Sequence, residues 1–340
     1  MGQNEYYYRR VIGAIGFSLL MFQLLINLFG VLITFATPIL SMLSASEVAF
    51  NVLYQVFYAA GYLLCFMLPV AFLKIRIGKA GLPYRPMSTP LRISPWLFLI
   101  VPAGITLVFS ASYVNASFVS IFDYSDFSSE VLWGANGEKP AVYELVLDFL
   151  VTCLVPGFCE EFFFRGAILS NLRPFGRSNA ILISAFLFGM MHQNPEQILY
   201  AFAAGVVLGV VYEMTGSIWN CTVLHVLNNF ASVTEGTVVY KFDTLFASSL
   251  GVAVFEAVLF AVGLIALAIL IARFFSRKPD LHGGVFGKSL PASDGYADYP
   301  ISANRAFRLF LTPSMVIFLV ICVAQILLLL LMAVMYGSFM

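Results

Sequence analysis

The sequence predicts an all-α protein, a polytopic membrane bundle of about nine transmembrane helices with a cytoplasmic N-terminus. Three observations carry this reading. Only 11% of the 340 residues are charged, against about a quarter in an ordinary soluble domain. Hydrophobic residues make up 61% of the chain and the mean hydropathy is +0.92. The charges are also gathered into clusters, leaving apolar runs of the length a bilayer requires, about 20 residues. A net charge of +0 excludes the basic stripe of a nucleic-acid binder, and this composition excludes a disordered chain.

The runs give the elements in order. Val11–Ser46 carries no charge and forms the first helix. It is too long for a signal-peptide core and lacks a small-residue cleavage pattern, so it is read as an anchor. The start, Met1-Gly2-Gln3-Asn4-Glu5-Tyr6, lacks the Ser or Thr of a myristoylation signal. Val48–Leu73 and Ile93–Phe122 form the second and third helices. Four runs near 141–173, 179–195, 196–214 and 217–233 each hold polar or ionisable residues. An eighth helix falls between Asp243 and Arg273, interrupted by Glu256, and Leu309–Met340 forms the ninth. The segment Ser276–Asn304, rich in Gly, Pro, Ser and Asp, reads as a flexible cytoplasmic linker. The five cysteines fall in or beside apolar runs without a C-x-x-C, and read as small core residues.

Charge asymmetry orients the chain. With the N-terminus inside, Arg165, Arg173 and Arg177 fall on or toward the inner side, and Arg9, Arg10, Lys74, Arg76, Lys79, Arg85 and Arg92 are inside. So are Arg273, Arg277, Lys278, Lys288, Arg305 and Arg308, which makes 16 of the 18 basic residues and leaves Lys139 and Lys241 outside. The positive-inside rule requires this bias, and one miscounted helix would scatter the clusters. The acidic segment Asp123–Glu138 and the C-terminus fall outside.

Ionisable groups within a bilayer cost a few kcal/mol each on insertion scales and mark function. The fourth helix holds Glu160-Glu161-Phe162-Phe163-Phe164-Arg165, the fifth Phe188-Gly189-Met190-Met191-His192, and the seventh His225-Val226-Leu227-Asn228-Asn229. Glu161 and Arg165 are i,i+4 with the acid first, the favourable order for an ion pair. Glu160 is rotated about 100° away and lacks a local partner. Desolvation and the adjacent carboxylate make it the candidate general base. His225 and Asn229 share a helix face, and so do Phe188 and His192, where the ring would fix the imidazole by packing. At ~1.5 Å per residue, Glu160, His192 and His225 reach overlapping depths of about 10–20 Å from their inner helix ends.

The motifs E-E-x-x-x-R (Glu160, Glu161, Arg165), F-x-x-x-H (Phe188, His192) and H-x-x-x-N (His225, Asn229), in this order on separate helices, resemble the CPBP family of intramembrane proteases. That family includes CAAX-processing endopeptidases and bacteriocin-processing and immunity (Abi-like) proteins. The resemblance covers roughly residues 145–232. It divides the chain into N-terminal helices at 1–140, a catalytic core of helices 4–7 at 141–235, and helices 8–9 at 236–340 with the cytoplasmic loop at 276–304. It implies a peptide-bond hydrolase acting on membrane-tethered substrates, CAAX-type where the host prenylates proteins. In it Glu160 and His192 activate water, His225 and Asn229 stabilise the oxyanion, and Glu161, Arg165 and Phe188 support them. No cofactor is favoured. The alternative is a zinc metalloprotease with Glu160, His192 and His225 as ligands and an open water position. The implied partners are membrane lipid and a tethered peptide or protein, with no nucleic acid, in a bacterial cell membrane. Two other classes fit the same buried groups: a proton-coupled transporter, which predicts an inverted repeat and helices broken at mid-membrane, and a non-catalytic immunity or scaffold protein.

The remaining polar residues have plainer readings. Glu256 reads as an interhelical contact and His282 as a solvated loop residue. The tyrosines read as interfacial anchors and packing. Asn194 and Gln197 either adjoin the site or satisfy backbone between helices. Asn115-Ala116-Ser117 matches a glycosylation sequon at chance level.

Overall fold

The computed structural model describes residues 2–82, 97–122, 143, 146–147, 149–241, 249–276 and 299–337. Among these the regular structure is helical, without strands. In chain order the helices are α1 (Gln3–Leu43), α2 (Glu47–Lys79), α3 (Leu97–Val119), α4 (149–172), α5 (Arg177–His192), α6 (Ile198–Thr215), α7 (Ile218–Lys241), α8 (Ser249–Ser276), α9 (Ala303–Phe310) and α10 (Pro313–Gly337). The expected linker lies mostly outside the described residues, as do Asp123–Glu138, Lys139 and His282, and nothing is described of the Glu256 side chain.

Apolar runs without charge become long helices. α1 continues through Pro38 for 41 residues, which at 1.5 Å per residue is about 60 Å, roughly twice a hydrocarbon core. It ends at Ser44, and α2 begins after Ser46, whose hydroxyl accepts the Ala49 N–H at 3.2 Å. Among the described residues five helices are long and apolar enough to cross a bilayer: Gln3–Leu43, Glu47–Lys79, Leu97–Val119, Ile198–Thr215 and Pro313–Met335. Among the described residues length and apolarity mark those five alone, and α5 with its 16 residues is shorter than such a span.

The distribution of polarity is that of a membrane protein. Phe35, Met42, Phe98 and Ile121 stand exposed, while Glu160, Glu161, Arg165, Asn171 and His225 are buried. Apolar surface on this scale exceeds what a soluble monomer exposes, so the chain is an integral membrane protein.

One end of the bundle gathers chain segments that are distant in sequence. Arg305 pairs with Glu5, and the N–H groups of Tyr299 and Ile301 donate to the Pro174 and Phe175 carbonyls at 3.0 and 3.1 Å. Ile77, Leu82 and Val11 meet Pro174 and Tyr299 there. Glu213, near the end of α6, joins Arg173 at 3.0 Å and Arg177 at 3.9 Å. These are segments that the charge rule assigns to one face of the membrane.

Small residues set a close helix approach between α5 and α6. A Cβ at Gly205 would lie 2.8 Å from Ala185 Cα, and one at Gly189 would lie 2.8 Å from the Ile198 carbonyl oxygen. Backbone cannot yield there as a side chain can. Gly205→Ala is therefore expected to destabilise the protein by about 1–3 kcal/mol, read as a lowered melting temperature in detergent. An unchanged melting temperature would mean that the two helices are not held at this distance.

Candidate active site

α4 changes its helical pitch around the two acids. Phe149–Leu154 is π-helical, Val155–Glu161 is α-helical with Pro156 in its first turn, and Phe162–Leu169 is π-helical again. The Ser170 N–H accordingly reaches back five residues to the Arg165 carbonyl. Such π turns are uncommon and concentrate at functional sites. The helical run is continuous through Pro156-Gly157. A Cβ at Gly157 would come 2.6 Å from Val226 Cγ2, a close approach that brings α7 against the acids.

Glu161 and Arg165 pair as the spacing predicts, at 2.7 Å and with no exposed side-chain surface. Arg165 also donates to the Gly205 carbonyl at 3.2 Å, and its guanidinium lies 4.6 Å from the Phe188 ring centroid. Glu161 has a second partner that helix spacing did not reveal: His225 Nδ1 lies 2.8 Å from the same oxygen, Oε1. A carboxylate has only lone pairs, so the imidazole donates this bond.

Glu160 takes its partner from another helix. It is 6% exposed, and although no residue of its own helix pairs with it, the Tyr62 hydroxyl on α2 donates to its Oε1 at 2.7 Å. Helix periodicity reports partners three or four residues away, and this one comes from another helix. The other oxygen, Oε2, is buried without a hydrogen-bond partner among the described residues, 3.9 Å from His225 Nε2.

His192 closes α5. Its Nδ1 lies 2.8 Å from the Phe188 carbonyl, which can only accept, so the neutral ring keeps its lone pair on Nε2. Phe188 meets His192 edge-on at 4.9 Å and His225 at 5.8 Å, so one ring packs against both imidazoles and Arg165. The next residue, Gln193, adopts φ +52°, a left-handed conformation uncommon outside glycine. Its amide exchanges hydrogen bonds with the Gln23 amide at 2.6 and 3.1 Å and donates to Cys322 Sγ at 3.2 Å. α1 and α10 thus hold the turn that ends at His192.

Glu160, His192, His225, Asn229 and Phe188 line one cavity of about 380 Å³. Glu161 and Arg165 are not among its lining residues; they support it from behind, through His225 and Phe188. Its apolar walls include Gly104 and Val108 of α3 and Ala204 and Leu208 of α6. Asn229 Nδ2 reaches the Thr152 carbonyl at 3.4 Å, and the amide keeps a second N–H for another acceptor.

Tyr62 and Tyr200 line the cavity, which falls within the packing role read for the tyrosines, but sequence did not single them out. Gln197 also lines it, whereas Asn194 Oδ1 accepts the Glu196 N–H within the α5–α6 turn. Asn115 is 3% exposed, donates to the Pro195 carbonyl at 2.7 Å and accepts the Leu199 N–H at 3.1 Å. The sequon asparagine is thus a buried brace for the α5–α6 turn, with no room for a glycan. The five cysteines are buried and unbridged.

The zinc alternative requires three ligands around one point. Among the described residues no group of three His, Cys, Asp or Glu side chains is gathered as a metal ion would require.

Residues 142–231 match the family model described as type II CAAX prenyl endopeptidase Rce1-like. The matched segment spans α4 to α6 and more than half of α7, the helices that carry Glu160, His192 and His225. That segment is similar to a CPBP-family intramembrane protease domain, and it lies in a chain whose apolar helices make it an integral membrane protein. No curated protein and no solved structure matches the chain.

Proposed function

We propose that the protein is an intramembrane endopeptidase that cleaves membrane-tethered peptides with a water activated by Glu160, without a bound metal. One observation carries the reading: Glu160, whose buried Oε2 has no hydrogen-bond partner among the described residues, lines a cavity that also holds two histidines and an asparagine. Glu160 takes a proton from water while the His192 Nε2 lone pair helps to orient it. The water oxygen attacks the peptide carbonyl, and Glu160 then returns the proton to the departing amine.

His225 and Asn229 meet the oxyanion. With Nδ1 donating to Glu161, Nε2 carries a proton only in the imidazolium form. The charge count favours that form. Glu160 and Glu161 against Arg165 leave one negative charge, which a protonated His225 balances. Glu161 and Arg165 then hold a charged donor in place.

The topology belongs to the same proposal: nine crossings with the N-terminus cytoplasmic. Supporting it, α2 and α4 run side by side in one direction, with Tyr62 on Glu160 and Phe66 on Phe163. That order requires an even number of crossings from α2 to α4. In a bacterial host, which the sequence reading favours, the substrate would be a leader peptide or membrane protein; in a host that prenylates proteins, a CAAX-type terminus.

The test is cleavage of a prenylated or otherwise membrane-tethered peptide by the purified protein in detergent, beside Glu160→Ala and His192→Ala. Wild-type cleavage that persists in chelator, with both variants inactive, is expected. Equal cleavage by all three proteins would overturn the residue assignment, and loss in chelator would overturn the metal-free reading.

A further inference from the structure

We propose that Tyr62 is a positioning residue of the active site: its hydroxyl fixes Oε1 of Glu160 and thereby commits Oε2 to the water. The proposal rests on the endopeptidase reading and extends the site to α2, which lies outside the segment matched to the protease family.

The geometry gives each oxygen of Glu160 a distinct task. Oε1 accepts from Tyr62 at 2.7 Å, and Oε2 faces His225 Nε2 at 3.9 Å without a hydrogen bond. An untethered carboxylate presents two equivalent oxygens and rotates between them. A bond to one oxygen leaves a single oriented acceptor, the condition for proton transfer in a preorganised site.

The tyrosine is itself held. Its ring stacks on Tyr58 at 6.0 Å and packs against Phe66 at 5.0 Å, one turn to either side on α2. Phe66 packs in turn on Phe163 of α4 at 5.9 Å and on Phe22 of α1 at 4.6 Å. This aromatic ladder fixes the register of α2 against α4, and so places the hydroxyl one turn from a rigid contact. A phenol also suits the position chemically, because it can donate to the carboxylate while adding no charge to the cluster.

The experiment compares wild type with Tyr62→Phe, Tyr62→Gln, Tyr58→Phe and Glu160→Gln on a prenylated peptide in detergent, measuring kcat, KM and melting temperature. Tyr62→Phe keeps the ring and removes the donor. It is expected to lower kcat about tenfold to a hundredfold, the worth of one hydrogen bond to a charged group, with KM changed less than about twofold and melting unchanged. Tyr62→Gln, which restores an N–H donor, is expected to recover part of kcat, and Tyr58→Phe to match wild type.

An unchanged kcat in Tyr62→Phe while Glu160→Gln is inactive would overturn the assignment of Tyr62 alone. A loss of kcat accompanied by a raised KM and lowered melting would overturn it too, by making Tyr62 a packing residue. Cleavage that survives Glu160→Gln would overturn the underlying reading.

Discussion

Glu160→Gln is expected to lower kcat by about 10³- to 10⁴-fold, toward the upper range for a single general base, while the protein melts at or above its original temperature. The two outcomes come from the same burial. Glutamine has the shape of glutamate, and its carbonyl oxygen still accepts the Tyr62 hydroxyl. What disappears is the basic oxygen at the cavity wall, and with it the acceptor for the water's proton. The removed charge was held in an interior that is 6% exposed, where one of its oxygens had no hydrogen bond, so its loss relieves a desolvation cost. Charge balance survives as well, because a neutral His225 then leaves Glu161 and Arg165 as a closed pair. Cleavage and thermal melting measured on the same preparation check both halves. A kcat within tenfold of wild type would remove Glu160 from the chemistry, and a melting temperature several degrees lower would make it a structural acid.

What the sequence made legible follows the reach of helix periodicity. Glu161 and Arg165 were readable as a pair because both lie on one face of one helix, four residues apart. The second bond of Glu161, to His225, spans 64 residues and has no periodic signature. Tyr62 was hidden more deeply, in a charge-free run among sixteen tyrosines, with nothing to separate a catalytic neighbour from a lipid anchor. The π turns of α4 were equally silent, since a slip of the backbone hydrogen-bond ladder leaves the residue pattern intact. Depth arithmetic placed Glu160, His192 and His225 at compatible levels, but only packing decides that they line one cavity. Composition read the membrane class well. The number of crossings is harder to read, because the core helices α4, α5 and α7 trade apolarity for chemistry.

Arg165→Met is expected to cost about 3–5 kcal/mol of stability, because it removes one partner of a buried ion pair and strands the other. Glu161 would keep a full charge with no exposed surface, and only His225 would remain to meet it. The bond to the Gly205 carbonyl, which ties α4 to α6, would go as well, as would the guanidinium beneath Phe188. Methionine fills much of the vacated volume, so the effect isolates charge from packing. The informative companion is Arg165→Met combined with Glu161→Gln. Replacing both members of a buried pair is often neutral, so the double variant is expected to recover at least half of the lost melting temperature. Cleavage, however, is expected to stay low in the double variant. A glutamine at 161 can accept from His225 Nδ1 but forms no charge-assisted bond, so it holds the imidazole, and with it the Nε2 donor for the oxyanion, less firmly than the carboxylate does. Stability recovered without activity therefore identifies Glu161 as the group that keeps His225 a donor. Recovery of both together would confine Glu161 and Arg165 to holding the bundle, and would leave Asn229 as the oxyanion donor from α7.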